Sequence, residues 1–266
     1  MNSERYFYRF EVAYDGSNYH GWLDNYEVQT VQGVIKESAQ ILADQVVRVE
    51  GSSRTDKGVH ALQHMIRIEI DKDLDPEYFL NSLQGITPYD IEIISCERTT
   101  KDWHPRFHAV AKRYLYRIWN GPRRSLFGSD TSWWIRSQLD VDSMNEVAQC
   151  FVGKHDFASF RTRSKDEPED SVRTIHEFRV QRNGDHVLIQ VVGNGFLYRM
   201  VRNLTGTLVE VGRRMKEASE VPKILAAQDR TAAGMAAPPE GLFLAEVSYD
   251  PDNIPRCRDE DSLFKH

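Results

Sequence analysis

The order of predicted strands and helices constrains the fold of this chain more than any other feature. In the first half, runs that alternate apolar and polar residues or are rich in β-branched and aromatic ones predict strands at 6–14, 46–50, 62–70 and 91–96. Cap residues and apolar spacing predict helices from Thr30 to Ala43 and from Asp75 to about Leu83. The resulting order, β-α-β-β-α-β, is that of the ferredoxin-like split unit.

The second half repeats this order without repeating the sequence. Strands are predicted at 110–119, 172–182, 186–192 and 242–249, the middle two forming a hairpin around Asn183-Gly184-Asp185. Helices are predicted from Asp142 to about Val152 and at 197–212, with a further helical stretch at 217–228. We therefore expect an α+β fold of two ferredoxin-like halves, 1–104 and 105–250, whose sheets could pair edge to edge, followed by a charged tail at 251–266.

Composition restricts the class of protein only broadly. The 266 residues are 40% hydrophobic, enough for a large core, and three widely spaced cysteines argue against a disulfide framework or a cysteine zinc site. The sequence has no apolar run near the ~20 residues of a membrane span, and its first residues do not look like a secretion signal. We expect a cytoplasmic protein that does not bind a membrane.

The charge of the chain neither indicates nor excludes a nucleic-acid partner. The formal net charge is −6, whereas nucleic-acid binders are usually basic. Basic residues nevertheless cluster, for example at 112–113, 123–124, 161–165 and 199–202, while acidic ones concentrate at 71–77, 165–170 and 259–261. Since binding a polyanion depends on the local field, RNA binding stays open.

Residues 52–60, between two predicted strands, contain the first candidate catalytic residue. Asp56-Lys57-Gly58 could simply form a turn, because Asp and Gly suit one. Arg54 and Asp56, however, are two positions apart and point the same way in extended backbone. A carboxylate beside a guanidinium stays ionised at neutral pH, which fits a nucleophile or a structural ion pair better than a proton donor.

The stretch SRTDKGVHA at 53–61 resembles the GRTDxGVHA signature of the TruA family of tRNA pseudouridine synthases. Further matches follow in the family's order: YDGSNYHGW at 14–22, TVQG at 30–33, FHA at 107–109, KRYLY at 112–116, HDFASF at 155–160, MVRN at 200–203 and EGLFL at 240–244. The resemblance covers roughly residues 6–250. It implies two ferredoxin-like halves that form one mixed central sheet, with helices on one side and the active cleft across the middle.

The resemblance also implies roles for individual residues. Asp56 matches the family's catalytic aspartate, and Arg54 matches the arginine that displaces the target base from its stem. Tyr114 matches the tyrosine that stacks on the uracil and is placed to move a proton. Arg202 matches the arginine that pairs with the aspartate, and Leu242 matches an apolar residue of the pocket.

Four more residues within the matching stretches are expected to bind substrate: Lys57, His60, Arg113 and Phe107. Exchanging an N1–C1′ bond for C5–C1′ requires the uridine to be flipped from its helix and the detached base to be held on an aromatic ring. A carboxylate can add covalently or stabilise the cleaved sugar. The reaction requires no redox cofactor, nucleotide or metal, and we expect none.

The resemblance implies an enzyme that isomerises uridine in the anticodon stem-loop of tRNA, typically at positions 38, 39 and 40. Bacterial members of the family act as homodimers, and we expect the same here. Two alternatives stay open: a synthase of the same family that acts at another tRNA uridine, and a non-catalytic RNA-binding paralogue. Intact Arg54, Asp56, Tyr114 and Arg202 favour the enzyme.

The chain departs from the family pattern at several positions, which bears on the exact uridine. Ser53 replaces a glycine, Lys57 stands where a small residue is common, Leu23 stands where glutamine is frequent, and QGITP at 84–88 replaces the usual Leu-Pro. Lys57 could contact a phosphate or favour the ionised form of Asp56. His60 and His64 have no evident third partner for a metal, and residues 193–195 lack the Lys-Ser/Thr of a phosphate loop.

Overall fold

A computed structural model describes residues 4–163 and 169–259. Parts of the acidic run at 165–170 and of the tail at 251–266 therefore lie outside the described residues. The strands are β1 (Tyr6–Tyr14), β2 (Arg48–Gly51), β3 (His60–Ile70), β4 (Ile91–Thr99), β5 (Ala111–Trp119), β6 (Trp133–Trp134), β7 (Gly153–Asp156), β8 (Val172–Asn183), β9 (His186–Gly193) and β10 (Leu242–Ser248). The α-helices are α1 (Val31–Ala43), α2 (Pro76–Ile86), α3 (Val141–Ala148), α4 (Met200–Gly212) and α5 (Val221–Ala227).

The chain divides into two compact units. The first unit runs to Ala109 and includes Phe243–Asp250, and the second comprises Val110–Leu242 and the residues from Pro251 on. Most of β10 thus belongs to the first unit, although it is the last strand in the sequence. The division at 104/105 that the sequence suggested stays a proposal, as does a separate tail.

The first unit has the strand order of a ferredoxin-like sheet. β4, β1 and β3 are neighbours in that order, β2 lies beside the end of β3, and all of these pairs are antiparallel. The predicted alternation in β1 is confirmed, because Tyr8, Phe10, Val12 and Tyr14 are buried. The start of β3 pairs in parallel with β10, which places Phe243 beside His60.

The two helices of the first unit begin at the predicted caps. The Thr30 hydroxyl accepts a hydrogen bond from the Gly33 amide at 3.2 Å, and Asp75 caps α2 directly before Pro76. Phe79 of α2 lies edge-on between the rings of Tyr8 and Phe10, with centroids 5.1 and 5.0 Å away. This aromatic group anchors α2 to the sheet.

The second unit contains an antiparallel sheet with the order β5-β9-β8-β7, and β6 runs parallel to the end of β5. The predicted hairpin is confirmed: β8 and β9 pair through Asn183 and His186, with Gly184 and Asp185 as a two-residue turn. β6 and β7 were not predicted. The α+β class of the whole chain is confirmed.

The predicted bounds of three helical segments in the second unit were wrong. α3 is capped by Asp140, whose carboxylate accepts from the Ser143 amide at 3.2 Å, and not by Asp142. α4 begins at Met200 and not at 197, because Arg199 is in the left-handed region and cannot continue a helix backwards. The stretch 217–228 divides into a 3-10 turn at Ala218–Glu220 and α5.

In the described parts of the chain, none of the helices has the length and apolar character needed to cross a membrane.

A buried arginine ties the start of the 100–108 segment to the first unit. Arg67 of β3 donates to the Lys101 and Trp103 carbonyls at 2.6 and 2.5 Å. It also pairs with the Glu50 carboxylate at 2.5 Å, and both side chains are largely buried. Arg48 reaches the same carboxylate at 2.7 Å but is mostly exposed.

Replacing Arg67 with Leu should lower the free energy of unfolding by about 3–5 kcal/mol, because Glu50 would lose its buried partner and the Lys101 and Trp103 carbonyls would lose their donor. Replacing Arg48 with Ala, which removes an exposed partner of the same carboxylate, should cost only ~0–1 kcal/mol. Urea denaturation of both variants measures this difference. Equal losses would contradict the structural role of Arg67.

Candidate functional site

Asp56 lies in the loop between β2 and β3 of the first unit. The predicted turn is present: the Val59 amide donates to the Asp56 carbonyl at 3.1 Å, and Gly58 supplies a φ of 77°. The Asp56 side chain is half-buried, whereas Arg54 and Lys57 are exposed. The residues therefore form the turn and still leave the Asp56 carboxylate partly accessible for a reaction.

The segment 14–22 holds this loop through its backbone. The Trp22 amide donates to the Thr55 carbonyl at 3.1 Å, and the Gly58 amide donates to the Tyr19 carbonyl at 3.3 Å. These two hydrogen bonds lie on either side of Asp56 along the chain. They fix the backbone from which the carboxylate projects.

Two glycines of the same segment approach the loop too closely for any side chain. A Cβ on Gly21 would stand 2.5 Å from the Thr55 carbonyl oxygen, and the φ of +93° at Gly21 itself favours glycine. A Cβ on Gly16 would stand 2.0 Å from the Val59 carbonyl oxygen. Glycines here permit the close contact of the two segments.

His60, at the start of β3, is buried and supports the loop from its other end. Its ring stacks on Phe243 of β10, with centroids 4.6 Å apart and planes inclined by 20°. Its Nδ1 lies 3.1 Å from both the Gly16 amide and an Asp15 carboxylate oxygen, and one ring nitrogen can serve only one of them at a time. Substrate binding by His60 stays a prediction.

Asp15 is ionised for local reasons. Partial burial by itself would raise the pKa of its carboxyl, but hydrogen bonds from the Ser17 hydroxyl and amide, together with His60, outweigh this and lower it. The amide donates at 2.9 Å and the hydroxyl at 2.6 Å. The turn at 15–18 is thereby fixed beside the catalytic candidate.

Two further candidates of the first unit are exposed. The Lys57 ammonium lies 3.1 Å from Nε2 of His20, which places it beside the segment 14–22. Phe107 is 74% exposed, with the His104 ring 4.3 Å away and the Arg106 guanidinium 5.9 Å from its centroid. An exposed ring beside basic groups is suited to stacking on a nucleobase.

The remaining candidates belong to the second unit. Tyr114 on β5 is largely buried and meets the ring of Phe196 edge-on, with centroids 5.0 Å apart. Phe196 itself packs on Gly193, where a Cβ would stand 3.1 Å from its ring. Phe196 orients the tyrosine and was not predicted, since nothing in its sequence neighbourhood marked it.

Arg202 and Arg113 are tied to neighbours within the second unit. The Arg202 Nε donates to the Ala237 carbonyl at 2.8 Å, and the Ala237 amide donates back to the Arg202 carbonyl at 2.9 Å. Arg113 is buried on β5 and donates to the Gln190 side-chain oxygen at 3.0 Å. Leu242 is buried at the start of β10.

Asn203 connects two of the matching stretches, 155–160 and 200–203. Its amide donates to the Phe160 carbonyl at 2.7 Å, and its oxygen accepts from Arg230 at 2.8 Å. Ser159 in turn donates to the Ile224 carbonyl at 2.6 Å. These polar residues stabilise the backbone around α4.

Within the first unit the structure places Arg54, Asp56 and Lys57 in one loop, with His60 at the start of the strand that follows it. Within the second unit Arg113 and Tyr114 lie on β5 and Arg202 on α4. Among the residues that the structure describes, no three His, Cys, Asp or Glu side chains are placed to hold a metal ion.

A methyl group on Gly21 should destabilise the protein through its contact with the Asp56 loop. Gly184 is the matched control, because it also has a positive φ, of +59°, but a Cβ there meets nothing within 4 Å. Gly184→Ala should cost about 1 kcal/mol, and Gly21→Ala about 1–3 kcal/mol more. Chemical denaturation measures both free energies of unfolding. Equal costs would mean that the close approach at Gly21 contributes nothing.

Comparison with known proteins places these residues in a family. The profile of the family described as tRNA pseudouridine synthase matches residues 11–108 and 147–250. The protein named tRNA pseudouridine synthase A of Geotalea daltonii is 41% identical over 238 residues, 90% of this chain and 97% of its own. Its namesake from Geotalea uraniireducens is 40% identical over the same shares.

A Clostridium tetani protein named tRNA pseudouridine synthase A 2 is 36% identical over 91% of this chain and 98% of its own. Among solved structures, a Cbf5-Nop10-Gar1 complex aligns over 90% of this chain and 58% of that chain, with 11% identity and a TM-score of 0.34, too weak a likeness to bear on the fold. The matched residues include Asp56 and the loop around it. The chain belongs to the TruA family of tRNA pseudouridine synthases.

Proposed function

We propose that this chain, an isomerase by family, converts uridine to pseudouridine in the anticodon stem-loop of tRNA, typically at positions 38, 39 and 40, with Asp56 as the nucleophile. The observation that carries the proposal is the Asp56 loop. Asp56 lies on a turn that hydrogen bonds hold through the Thr55 carbonyl and the Gly58 amide. A half-buried carboxylate with a fixed backbone suits a group that must meet one atom of a flipped nucleoside.

The reaction is an isomerisation in which atoms and electrons balance within the nucleotide. The bond from N1 to C1′ breaks, the bond from C5 to C1′ forms, and the proton at C5 leaves to solvent as N1 gains one. Asp56 adds to C1′ or to C6, or stabilises the cleaved sugar, and is regenerated at the end. No oxidant, reductant or nucleotide is consumed.

The exposed residues of the first unit suit contact with RNA. Arg54 and Lys57 flank Asp56 and are exposed, so their charges can approach phosphates and help to displace the target base. Phe107 offers an exposed ring for stacking. For these residues, as for His60, substrate contact is a proposal.

In the second unit we propose that Tyr114 stacks on the uracil, held in orientation by the edge contact from Phe196. For Arg202 we propose the ion-pairing role that the family position implies. Its Nε is anchored on the Ala237 carbonyl, which restricts the directions in which the guanidinium can point. Arg113 and Leu242, both buried, are proposed to shape the pocket rather than to recognise RNA by charge.

A second candidate is a synthase of the same family that acts at another tRNA uridine. It is favoured by the departures in the loop that carries the nucleophile, where Ser53 and Lys57 replace the usual small residues, and by Leu23. These positions flank the chemistry and could change which uridine is presented. A non-catalytic RNA-binding protein is the weaker alternative, because it has no need of Arg54 and Asp56 together.

We also propose a homodimer in the cytoplasm, as in bacterial members of the family. Light scattering should give twice the chain mass of 30.8 kDa, and a monomer at micromolar concentration would contradict the proposal. The free thiols of Cys96, Cys150 and Cys257 suit a reducing compartment.

Release of tritium from tRNA labelled at uracil C5, with mapping of the modified position, tests the proposed function. Asp56→Asn should lower the rate at least ~10³-fold, as expected when a nucleophile is removed. Asp71→Asn, at an exposed aspartate at the end of β3, should keep the wild-type rate. No release by the wild type would overturn the function. Release by Asp56→Asn within tenfold of the wild-type rate would overturn the nucleophile, and release from a uridine outside the anticodon stem-loop would favour the second candidate.

A further inference from the structure

A chain of hydrogen bonds connects side chains of β1 and β3 to the Asp56 loop. The Ser53 amide donates to Nε2 of His64 at 3.3 Å. Nδ1 of the same ring lies 3.2 Å from the Tyr14 hydroxyl, which lies 2.9 Å from the Thr55 hydroxyl. The chain thus begins and ends on the two residues that flank Arg54 and precede Asp56.

The direction of each hydrogen bond follows from its first member. An amide can only donate, so Nε2 of His64 is an acceptor and the ring proton sits on Nδ1. His64 is then neutral and donates to the Tyr14 oxygen, and the Tyr14 hydroxyl donates onward to Thr55. The Ser53 amide, the His64 ring and the Tyr14 hydroxyl thus each donate to one acceptor, and the imidazole serves as an acceptor on one side and a donor on the other.

Packing fixes the two aromatic members. His64 is fully buried, with the Trp22 ring 4.1 Å away, and Tyr14 stacks on Trp22 at 6.3 Å. The pairing of β1 with β3 shifts register between Val12 and Tyr14, so that Tyr14 faces Ala61. A register shift of this kind changes the direction of a side chain, and here the Tyr14 hydroxyl reaches Thr55 in the loop.

We propose that His64 and Tyr14 are positioning residues that set the backbone at 53–55 and thereby the orientation of the Asp56 carboxylate, an inference that rests on the proposed function. The chain of hydrogen bonds ends on the nucleophile's own loop rather than on a neighbouring strand or helix. Segment 14–22 holds the residues immediately around Asp56 by its backbone. The His64 chain supplies the second point of support, on the N-terminal side.

Two substitutions of His64 distinguish a role in positioning the loop from a role in packing. A glutamine at 64 carries an acceptor oxygen and a donor nitrogen and can replace both roles of the neutral imidazole, whereas a leucine of similar bulk can replace neither. Tyr14→Phe removes only the hydroxyl. Its matched control is Tyr8→Phe: Tyr8 is a buried tyrosine of the same strand whose hydroxyl accepts from the Leu74 amide at 2.7 Å and donates to the Leu74 carbonyl at 2.8 Å.

The experiment measures kcat and KM for tritium release by the full chain carrying His64→Leu, His64→Gln, Tyr14→Phe or Tyr8→Phe. A displaced nucleophile loses rate but not RNA affinity, so His64→Leu should lower kcat about 10- to 100-fold with KM nearly unchanged. His64→Gln should restore kcat to within about threefold of wild type, since an amide replaces both hydrogen bonds. Tyr14→Phe should lower kcat, and Tyr8→Phe should lower only the melting temperature.

Wild-type kcat in His64→Leu would overturn the inference while leaving the proposed function intact. So would a His64→Gln variant as slow as His64→Leu, or equal losses of kcat in Tyr14→Phe and Tyr8→Phe. If His64→Leu does not fold, the pair of tyrosine variants decides by the same criterion. Absence of tritium release by the wild type would instead overturn the proposed function itself.

Discussion

The close backbone contact between the segment 14–22 and the Asp56 loop is the constraint on which the rest of the site depends. A Cβ on Gly21 would stand 2.5 Å from the Thr55 carbonyl oxygen, so the two segments approach more closely than side chains allow. That approach permits the Trp22 amide to reach Thr55 and the Gly58 amide to reach Tyr19. Because an amide and a carbonyl are held on either side of it, Asp56 has little freedom except in its own side chain. A reaction at one carbon atom benefits from such restriction.

Much of the polar chemistry inside the protein serves to hold backbone rather than to contact substrate. Arg67 binds the carbonyls of Lys101 and Trp103, and Asn203 binds the carbonyl of Phe160. Each of these side chains is buried and would destabilise the fold if its partner were lost. His64, fully buried beside Trp22, belongs to the same class. Buried polar residues can therefore be required for the geometry of the backbone without contacting a substrate.

The sequence predicts the first unit well, for identifiable reasons. Buried and partly exposed residues alternate along most of β1. The caps of α1 and α2 are the residues that the sequence predicted. In the second unit two acidic residues, at 140 and 142, could each cap α3, and the sequence does not distinguish them. The left-handed backbone of Arg199, which makes α4 begin at Met200, cannot be predicted from an arginine. Of the candidate site, the Asp56 loop follows from the resemblance. The support from His64 could not be predicted, because it depends on a register shift at Tyr14 and on hydrogen-bond directions between strands distant in sequence.

We propose that Asp56, held in this way, performs the chemistry itself. Single-turnover tritium release with enzyme in excess over labelled tRNA tests it most directly, because binding is then complete and only the chemical step is observed. The wild type should release tritium rapidly and Asp56→Asn at least ~10³-fold more slowly, although both should bind the tRNA with similar affinity. Release by Asp56→Asn within tenfold of the wild-type rate would contradict the proposal.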